Sequence, residues 1–184
     1  MNSPTELVVL CTSDGTPTGT APKATIHTEN TPLHRAFSCY LIDSNGKLLL
    51  TRRSQLKHTW PGIWTNSFCG HPGPGESDLA AIQRRSVQEL GLIDGAITDI
   101  ALALPEFQYR AVDDSGIVEW EVCPVYVAHL DNPDLLAPRE REVEEYLWLP
   151  VEQAIKEIQS HPEKYSPWMV MQLTHTELTE KLMK

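Results

Sequence analysis

Two apolar runs separated by a short polar turn lie in the first third of the chain. The segments AFSCYLID and KLLLTRR, about residues 36 to 43 and 47 to 53, flank Ser44-Asn45-Gly46. An Asn-Gly dipeptide between two apolar runs is the strongest short-range signal of a β-hairpin. The pattern therefore predicts two paired strands in this region.

A second pattern alternates with a period of two further along the chain. In the segment GIVEWEVCPVYVA, Glu119, Glu121 and Cys123 are two residues apart, so they project from one face of a strand. Trp120 and Val122 project from the opposite face. The pattern predicts one strand that carries two carboxylates on the same side.

Helical spacing begins in the segment ESDLAAIQRRSVQELG. It has an acidic start, and the apolar residues Leu79, Ile82 and Leu90 recur at helical intervals. Gly91 comes directly after the last of them, where a glycine commonly ends a helix. We therefore predict a helix that stops at Gly91.

The C-terminal part predicts a short strand and a helix in YLWLPVEQAIKEI, followed by a further helix over about residues 166–183. Ser166 is the expected N-cap of that last helix, and Pro167 is at its first position. Strands mixed with helices indicate an α/β (α+β) fold with mixed β-sheets flanked by helices. We expect a single compact domain over 1–184, with a motif-bearing core at about 35–155 and the C-terminal helix closing a pocket.

Composition restricts the function. The formal charge of −10 disfavours a nucleic-acid-binding protein, which would need a basic face. No apolar run reaches the roughly 20 residues of a membrane span, and the N-terminal sequence lacks the features of a signal peptide. There are four cysteines and no C-x-x-C pair, which suits a reducing compartment, so we expect free thiols and a cytoplasmic location: Cys11, Cys39, Cys69 and Cys123.

Basic residues nevertheless cluster locally. The segment TRRSQLK contains Arg52, Arg53 and Lys57, and Arg84 and Arg85 follow later in the chain. These residues could bind a small phosphorylated ligand or form a solvated basic face. Charge alone leaves both interpretations open.

The segment WTNSFCGHPGPGE places reactive groups among residues that break regular structure. Cys69 and His71 are followed or separated by glycines and prolines, which rule out a helix and weaken a strand. We therefore expect both side chains on a loop, where functional residues concentrate.

The spacing around this loop resembles the Nudix box, a loop-helix-loop that binds a metal ion and a diphosphate. The matching positions are Gly70, Glu76, Arg84, Glu89, Gly91 and Leu92. Where the family's hydrolases have further glutamates, this chain has Arg85 and Gln88. Because carboxylates hold the divalent cation of such a site, their loss disfavours hydrolysis, and Arg85 could contact phosphate instead.

Several segments in order resemble the type 1 isopentenyl diphosphate isomerases over about residues 5 to 175. They are TRR, WPGIWTNSFCGHP, FQYRA, GIVEWEVCPV and SPWMVM. The resemblance implies a Nudix-like fold and the interconversion of isopentenyl and dimethylallyl diphosphate in isoprenoid biosynthesis. It also implies a bound Mg²⁺ and a second divalent ion.

That reaction needs two proton-transfer groups on opposite faces of the substrate, because one proton enters an alkene and another leaves. Cys69 and Glu121 are the expected pair, as the family's motif also suggests. The resemblance places Tyr109 next to Glu121, where its hydroxyl could relay or steady a proton.

The remaining implied site residues bind metal or substrate. The resemblance gives the second metal ion the ligands His27, His34, His71, Glu119 and Glu121, a set suited to Zn²⁺, Mn²⁺ or Mg²⁺. It places Glu89 with the diphosphate-bound Mg²⁺, and it implies that the diphosphate contacts Lys23, Arg53, Lys57 and Arg85. Trp168 would stabilise a tertiary carbocation through its ring face, and the other histidines, His58, His129, His161 and His175, are given no role.

Three alternatives stay open at this point. The chain could be a Nudix hydrolase of diphosphate substrates, or a diphosphate-binding module without catalysis. At the level of the site, Cys69 and His71 could together ligate Zn²⁺ as a thiolate and an imidazole. The sequence does not fix the oligomeric state.

Overall fold

The predicted hairpin is the centre of a larger sheet. In a computed structural model that describes residues 5–184, the two runs form paired strands, and Asp43 caps the turn by accepting hydrogen bonds from the backbone N–H groups of Asn45 and Lys47. The strands of the described residues are β1 Leu7–Cys11, β2 Pro17–Pro22, β3 His34–Arg35, β4 Phe37–Asp43, β5 Lys47–Arg53, β6 Trp64–Thr65, β7 Phe68–Gly70, β8 Thr98–Leu104, β9 Gln108–Val112, β10 Val118–Val122, β11 Val125–Leu130 and β12 Val143–Pro150. The α-helices are α1 Asp78–Leu90, α2 Val151–Ser160, α3 Pro167–Gln172 and α4 Thr176–Leu182.

The strands form two mixed sheets. The first sheet has the order β2-β1-β3-β10-β9. The second has the order β12-β5-β4-β11-β8, with β6 added to β5 and β7 added to β4. Both contain one parallel pair, β3 with β10 and β4 with β11, among antiparallel neighbours.

The prediction of one strand through GIVEWEVCPVYVA is wrong in one respect. The segment divides at Cys123-Pro124 into β10 and β11, which belong to different sheets. Pro124 has no N–H group to donate to a ladder, and its carbonyl accepts a hydrogen bond from Ser38 N as the chain joins the second sheet. Glu119 and Glu121 do share a face of β10, and both are buried.

Helix α1 confirms the predicted helix and its end. The Ser77 hydroxyl caps the N-terminus by accepting from Ala80 N at 3.2 Å, and Gly91 ends the helix with φ of 64°. A Cβ on Gly91 would lie 2.0 Å from the carbonyl oxygen of Ala137, so only glycine fits here. Leu79 was expected on the apolar face but is 52% exposed.

The predicted single helix over 166–183 is two short helices, α3 and α4, separated near Thr174. The Thr174 hydroxyl donates to the carbonyl oxygen of Met171 at 2.7 Å, and such local bonds compete with helix continuation. Ser166 does precede α3, but its hydroxyl bonds Thr65 rather than capping the helix. Only α3 reaches the pocket described below, so the C-terminal segment closes it with one turn and a half rather than with a long helix.

Buried side chains lie on both faces of the second sheet. Leu48 and Leu50 point to one face and pack with α2, α3 and α4, while Leu49 points to the other and packs against α1. The two clusters share the same central strands, as expected for a single α+β domain. Among residues 5–184, no helix has the length and apolar character that crossing a membrane requires.

Candidate active site

A cavity of about 770 Å³ opens between the two sheets and is bounded by α1 and α3. Every site residue predicted from the sequence except His34 lines it, and His34 is fully buried beside it. The lining residues among those predicted are Lys23, His27, Arg53, Lys57, Cys69, His71, Arg85, Glu89, Tyr109, Glu119, Glu121 and Trp168.

Strand register in the first sheet aligns three of these side chains. Glu121 on β10 is opposite His34 on the parallel strand β3 and opposite Tyr109 on the antiparallel strand β9. Residues paired across a ladder point to the same face, so the imidazole, the carboxylate and the phenol meet in one row. The Tyr109 hydroxyl donates to Glu121 Oε2 at 2.9 Å.

Four side chains form a group that could hold a metal ion. One ligand atom from each of His27, His34, His71 and Glu121 lies within 4.8 Å of all the others. Buried nitrogens of the three histidines, His27 Nε2, His34 Nε2 and His71 Nδ1, have no hydrogen-bond partner. Because buried polar atoms are normally paired, these nitrogens fit a cation well.

The protonation state of two of the three imidazoles also suits metal binding. Burial lowers the pKa of His27 to about 4 and that of His71 to about 3, so both imidazoles are neutral near pH 7. Neutral imidazole is the form that ligates metals. The Nδ1 atom of His34 lies 2.9 Å from the carbonyl oxygen of Pro32, which orients that ring and leaves Nε2 facing the group.

Glu121 is the negative centre of the group. Its Oε1 atom lies 2.9 Å from His71 Nε2 and 3.3 Å from His34 Nε2, the second contact lacking the geometry of a hydrogen bond. Burial by itself raises the pKa of Glu121, but these two imidazoles outweigh burial and hold the pKa well below its ordinary value. The carboxylate is therefore ionised.

Glu119 lies outside the four-ligand group. Its carboxylate accepts a hydrogen bond from the Thr59 hydroxyl at 2.5 Å, and its Oε2 atom lies 2.8 Å from the Tyr109 hydroxyl, whose single hydrogen it shares with Glu121. Burial, and after it the charge of Glu121, raises the pKa of Glu119. Its role as a metal ligand stays a prediction, because the structure directs its oxygens toward Thr59 and Tyr109.

Cys69 belongs to the second sheet, so the prediction that it lies on a loop is wrong. It lies in β7, where Ser38 of β4 is its partner, and only His71 is in the irregular segment that follows. A long-range pairing with β4 thus overrides the weak strand propensity of the glycine-rich sequence. Burial raises the pKa of the Cys69 thiol to about 12, so the sulfur is protonated.

Cys69 is absent from the metal-binding group found among the described residues. Its sulfur instead lies 3.4 Å from Ser38 Oγ and donates to Asn66 Oδ1 at 3.3 Å. The alternative of a Cys69-His71 zinc pair has no support from this geometry.

Trp168 forms the wall between the two sheets. It is 2% exposed, and its Nε1 donates to Asn66 Oδ1 at 3.1 Å. Its ring centroid is 5.8 Å from that of Tyr109 and 5.5 Å from that of Trp60. The guanidinium carbon of Arg53 lies 5.6 Å from the ring centroid, which shows that the ring face accepts a cation.

Three cationic side chains that line the cavity, Lys23, Lys57 and Arg85, are each matched by a carboxylate. Lys23 Nζ lies 2.9 Å from Glu6 Oε1, and Arg85 Nη2 lies 2.7 Å from Glu89 Oε2. The carboxylate of Glu142 pairs with Lys57 and lies 3.5 Å from Arg85 Nη2. Burial works against the charge of Arg85, but the carboxylates of Glu89 and Glu142 outweigh burial and raise its pKa.

The basic clusters seen in the sequence divide between surface and cavity. Arg52 is directed away from the cavity and contacts Glu144 and Glu145. Arg84 donates to Glu76 and to the carbonyl oxygen of His71 at 3.0 Å, which ties the segment that carries His71 to α1. Among these residues Arg53, Lys57 and Arg85 line the cavity, whereas Arg52 and Arg84 do not.

Sequence reasoning missed several residues of the cavity. Glu6 and Glu142 are distant in sequence from the cations they pair with, so no local pattern indicated them. Asn66 is fully buried outside the cavity lining, and no pattern in the quoted motif marked it as the partner of Cys69 and Trp168. The remaining lining residues without an assigned role include Thr5, His58, Thr59, Gln88, Arg139 and Arg141.

The fold and the site define the class of the protein. Residues 32–169 match the NUDIX domain family. The structure resembles DR0079 from Deinococcus radiodurans, with a TM-score of 0.70 and 18% identity over 92% of this chain and 98% of that one. It also resembles a MutT protein from Methanosarcina mazei, with a TM-score of 0.60 and 20% identity over 82% and 94% of the two chains. These likenesses show the Nudix fold.

Sequence relatives narrow the class. The chain is 50% identical over 184 residues to the isopentenyl-diphosphate Delta-isomerase of Corynebacterium glutamicum strain ATCC 13032, covering 100% of this chain and 97% of that protein. It is 54% identical over 168 residues to the enzyme of the same name from Paenarthrobacter aurescens strain TC1, covering 91% and 89%. The chain belongs to the isopentenyl-diphosphate Delta-isomerase family of the Nudix superfamily.

Proposed function

We propose that this protein interconverts isopentenyl diphosphate and dimethylallyl diphosphate. A proton is added to the terminal methylene carbon of the alkene, which leaves a tertiary carbocation at the neighbouring carbon. Loss of a proton from the carbon on the other side of the cation gives the more substituted double bond. Atoms and charge balance, so the reaction needs no oxidant or reductant.

The observation that carries this proposal is the placement of Cys69 and Glu121 on two different sheets around one cavity. A proton donor and a proton acceptor that face each other across a substrate are what an allylic 1,3-shift requires. Cys69 holds its proton because burial raises its pKa, whereas Glu121 is ionised and can accept one. Tyr109 touches the Glu121 carboxylate and would steady the proton there.

The cavity wall suits a cationic intermediate. Trp168 offers a ring face that already attracts Arg53 in this structure, and it offers no nucleophilic atom to the substrate. A desolvated cation–π interaction contributes about 2 kcal/mol or more. The buried wall also excludes water, which would convert a tertiary cation to an alcohol.

The cationic end would hold the diphosphate. Lys23, Lys57 and Arg85 line it, and phosphate oxygens would replace part of their present contacts with carboxylates. Arg53, which donates to the Thr59 carbonyl oxygen and lies over the Trp168 ring, would leave those contacts to bind the diphosphate with them. Glu89 lies at the same end, where it would hold Mg²⁺ against the diphosphate. The proposed substrate and the proposed ions would therefore share this one cavity.

The second divalent ion would be held by His27, His34, His71 and Glu121, with Glu119 beside them. Three imidazole nitrogens and one carboxylate favour Mn²⁺ or Zn²⁺ over Mg²⁺, because magnesium prefers oxygen ligands. When bound, the ion would supply positive charge that orients the Glu121 carboxylate. The chain itself holds that carboxylate through strand register with His34 and Tyr109.

The site disfavours hydrolysis of the diphosphate. Arg85 occupies a position where the family's hydrolases have a glutamate, and its guanidinium is buried against Glu89. Gln88, at the other changed position, accepts hydrogen bonds from Arg84 and Arg85 through its amide oxygen. Helix α1 therefore offers one carboxylate for a cation, Glu89, with the positive charge of Arg85 beside it. It offers no second carboxylate at positions 85 and 88 to activate a water molecule.

The cysteines support the proposed cytoplasmic location. All of the cysteines in residues 5–184 are free, as expected in a reducing compartment. A disulfide that captured Cys69 would remove the proposed proton donor.

Deuterium incorporation tests the proposed function. Isopentenyl diphosphate is incubated with the protein, Mg²⁺ and Mn²⁺ in D₂O, and the products are followed by NMR. We expect dimethylallyl diphosphate with deuterium in a methyl group and no released phosphate, because the proton-transfer groups exchange with solvent between turnovers. A chelator added before the substrate should stop incorporation.

Each other outcome has a defined meaning. Phosphate release without deuterium would assign the protein to the hydrolases. Substrate recovered unlabelled and unrearranged, at protein concentrations equal to the substrate and with metals supplied, would overturn the proposal. Measurable diphosphate binding in that case would leave a catalytically silent binding module as the function.

A further inference from the structure

A chain of buried side chains runs from the core to the sulfur of Cys69. The Tyr40 hydroxyl donates to Gln172 Oε1 at 2.7 Å, and Gln172 Nε2 donates to Ser38 Oγ at 2.9 Å. The Ser38 oxygen lies 3.4 Å from the sulfur of Cys69 and 3.4 Å from that of Cys123. Tyr40, Gln172 and Ser38 are all fully buried, so water does not compete for these groups.

The direction of donation along this chain follows from the chemistry of its members. An amide nitrogen can only donate, so the Ser38 oxygen accepts from Gln172 and its own hydrogen is left for a sulfur. The Cys69 S–H is already directed to Asn66 Oδ1, which cannot donate. The Ser38 oxygen is the one hydrogen-bond partner of the Cys123 thiol among the described residues, so the Cys123 S–H donates to it. The Ser38 hydrogen is then left for the Cys69 sulfur, which can only accept it.

We infer that Ser38 is a positioning residue for the reaction: its hydroxyl, oriented by Gln172 and Tyr40, donates a hydrogen bond to the Cys69 sulfur and holds that sulfur toward the cavity. This inference rests on the role proposed above for Cys69. In each turnover the S–H proton leaves for the substrate, or arrives from it, while the Ser38 hydrogen stays directed at the sulfur. The sulfur therefore keeps its position and its hydrogen bond from Ser38 both as a thiol and as a thiolate.

Three variants separate this role from simple packing. Ser38→Ala removes the donor and little volume. Gln172→Glu keeps the shape of the side chain but replaces its N–H donor by a carboxylate, which draws the Ser38 hydrogen away from Cys69. Cys123→Ala is the matched control, because it removes the other sulfur beside Ser38 and leaves the Cys69 contact in place.

The kinetic readout is the split between kcat and KM. Loss of a hydrogen bond to a group that becomes charged should lower kcat about 10- to 100-fold in both Ser38→Ala and Gln172→Glu. KM should stay within about twofold, since neither residue contacts the diphosphate end. Cys123→Ala should leave both constants within about twofold of the unaltered protein.

A spectroscopic readout does not depend on turnover. The S–H stretching band of Cys69 is assigned by its loss in Cys69→Ala and recorded by infrared difference. Because a hydrogen bond accepted at sulfur strengthens the bond that the same thiol donates, its loss should shift the band to higher frequency. The shift is expected in Ser38→Ala and in Gln172→Glu, and not in Cys123→Ala.

The outcomes distinguish failure of this inference from failure of the proposed function. An unaltered protein that does not isomerise the substrate counts against the function, and the infrared comparison still tests the hydrogen bond. An active protein whose Cys69 band and kcat are unchanged in Ser38→Ala and Gln172→Glu overturns the inference alone. Equal losses of kcat in Cys123→Ala would also overturn it, because packing around Ser38 would then explain the effect.

Discussion

Different interactions hold the side chains in place at the two ends of the cavity. The end proposed to hold the carbon chain of the substrate is called the carbon end, and hydrogen bonds to buried partners fix its side chains: Cys69, Tyr109 and Trp168. Two of these hydrogen bonds are accepted by the same oxygen, Asn66 Oδ1. At the other end, called the diphosphate end after the ligand proposed for it, lysines and an arginine pair with carboxylates that a bound diphosphate would replace. One end is therefore preorganised, and the other is exchangeable.

This difference suits the two tasks. Proton transfer depends on positions held to a fraction of an ångström, which buried hydrogen bonds supply. Binding a highly charged diphosphate requires several cationic side chains close together, and their charges must be compensated before the substrate arrives. The neighbouring carboxylates provide that compensation. Changes at the carbon end should therefore affect kcat, and changes at the diphosphate end should affect KM.

The largest effect is expected when a proton-transfer group is removed. Cys69→Ala and Glu121→Gln should each lower kcat by about 10³-fold or more, because each removes one of the two groups proposed to move the protons. Titration calorimetry with a non-reacting diphosphate analogue should show affinity within about threefold of the unaltered protein. Equal loss of binding in both variants would mean that these residues are structural.

A smaller but still large loss of kcat is expected for Trp168→Ala. The ring interacts with charge that exists only near the transition state, so about 2 kcal/mol of cation–π stabilisation corresponds to about 30-fold in kcat. Trp168→Phe keeps a weaker ring and should recover part of the rate, with near-ultraviolet circular dichroism confirming the fold of both variants. If the analogue bound as poorly as the rate had fallen, stabilisation of a cation would be the wrong explanation.

The opposite pattern is expected for Lys57→Ala at the diphosphate end. Loss of one charge-assisted contact to phosphate should raise KM about 10-fold and change kcat less than about threefold. Arg52→Ala is the matched control, since Arg52 lies close in sequence but outside the cavity lining, and it should behave like the unaltered protein. A selective loss of kcat in Lys57→Ala would remove the division between the two ends.

The smallest effect is a gain of affinity in Glu142→Gln. Removing this carboxylate frees Lys57 and Arg85 from a competitor, so inorganic diphosphate should bind about three- to tenfold more tightly at low salt. The gain should shrink as the salt concentration rises, because the interaction is partly screened. Weaker binding in this variant, measured by calorimetry with the same Mg²⁺ concentration, would instead make Glu142 a direct participant in cation or diphosphate binding.

Local patterns predicted the parts of the fold that depend on neighbouring residues. The Asn45-Gly46 turn and the Gly91 helix end follow from backbone preferences, which the sequence states directly. The strand at Cys69 and the break at Cys123-Pro124 depend on β4, whose Ser38 is opposite Cys69 on one side and Val125 on the other. No local signal reveals such partners.

The candidate site shows the same division. Resemblance to a family indicated Cys69 and Glu121, since their motifs are short and continuous. Glu142 and the Tyr40-Gln172-Ser38 chain escaped notice because their partners are joined only by folding. Ordinary core residues in the sequence thus acquire a role through the position of β4.

The crossing of the chain between sheets at Cys123-Pro124 has a consequence for refolding. Both parallel pairs, β3 with β10 and β4 with β11, join strands that are far apart in sequence, and such pairings form slowly because long loops must close first. The hairpin and α1 are local and should recover their spectroscopic signals early. Turnover should return only when the last pair of strands has formed. The rate at which activity reappears after dilution of the denaturant therefore measures how fast the two sheets pack against each other.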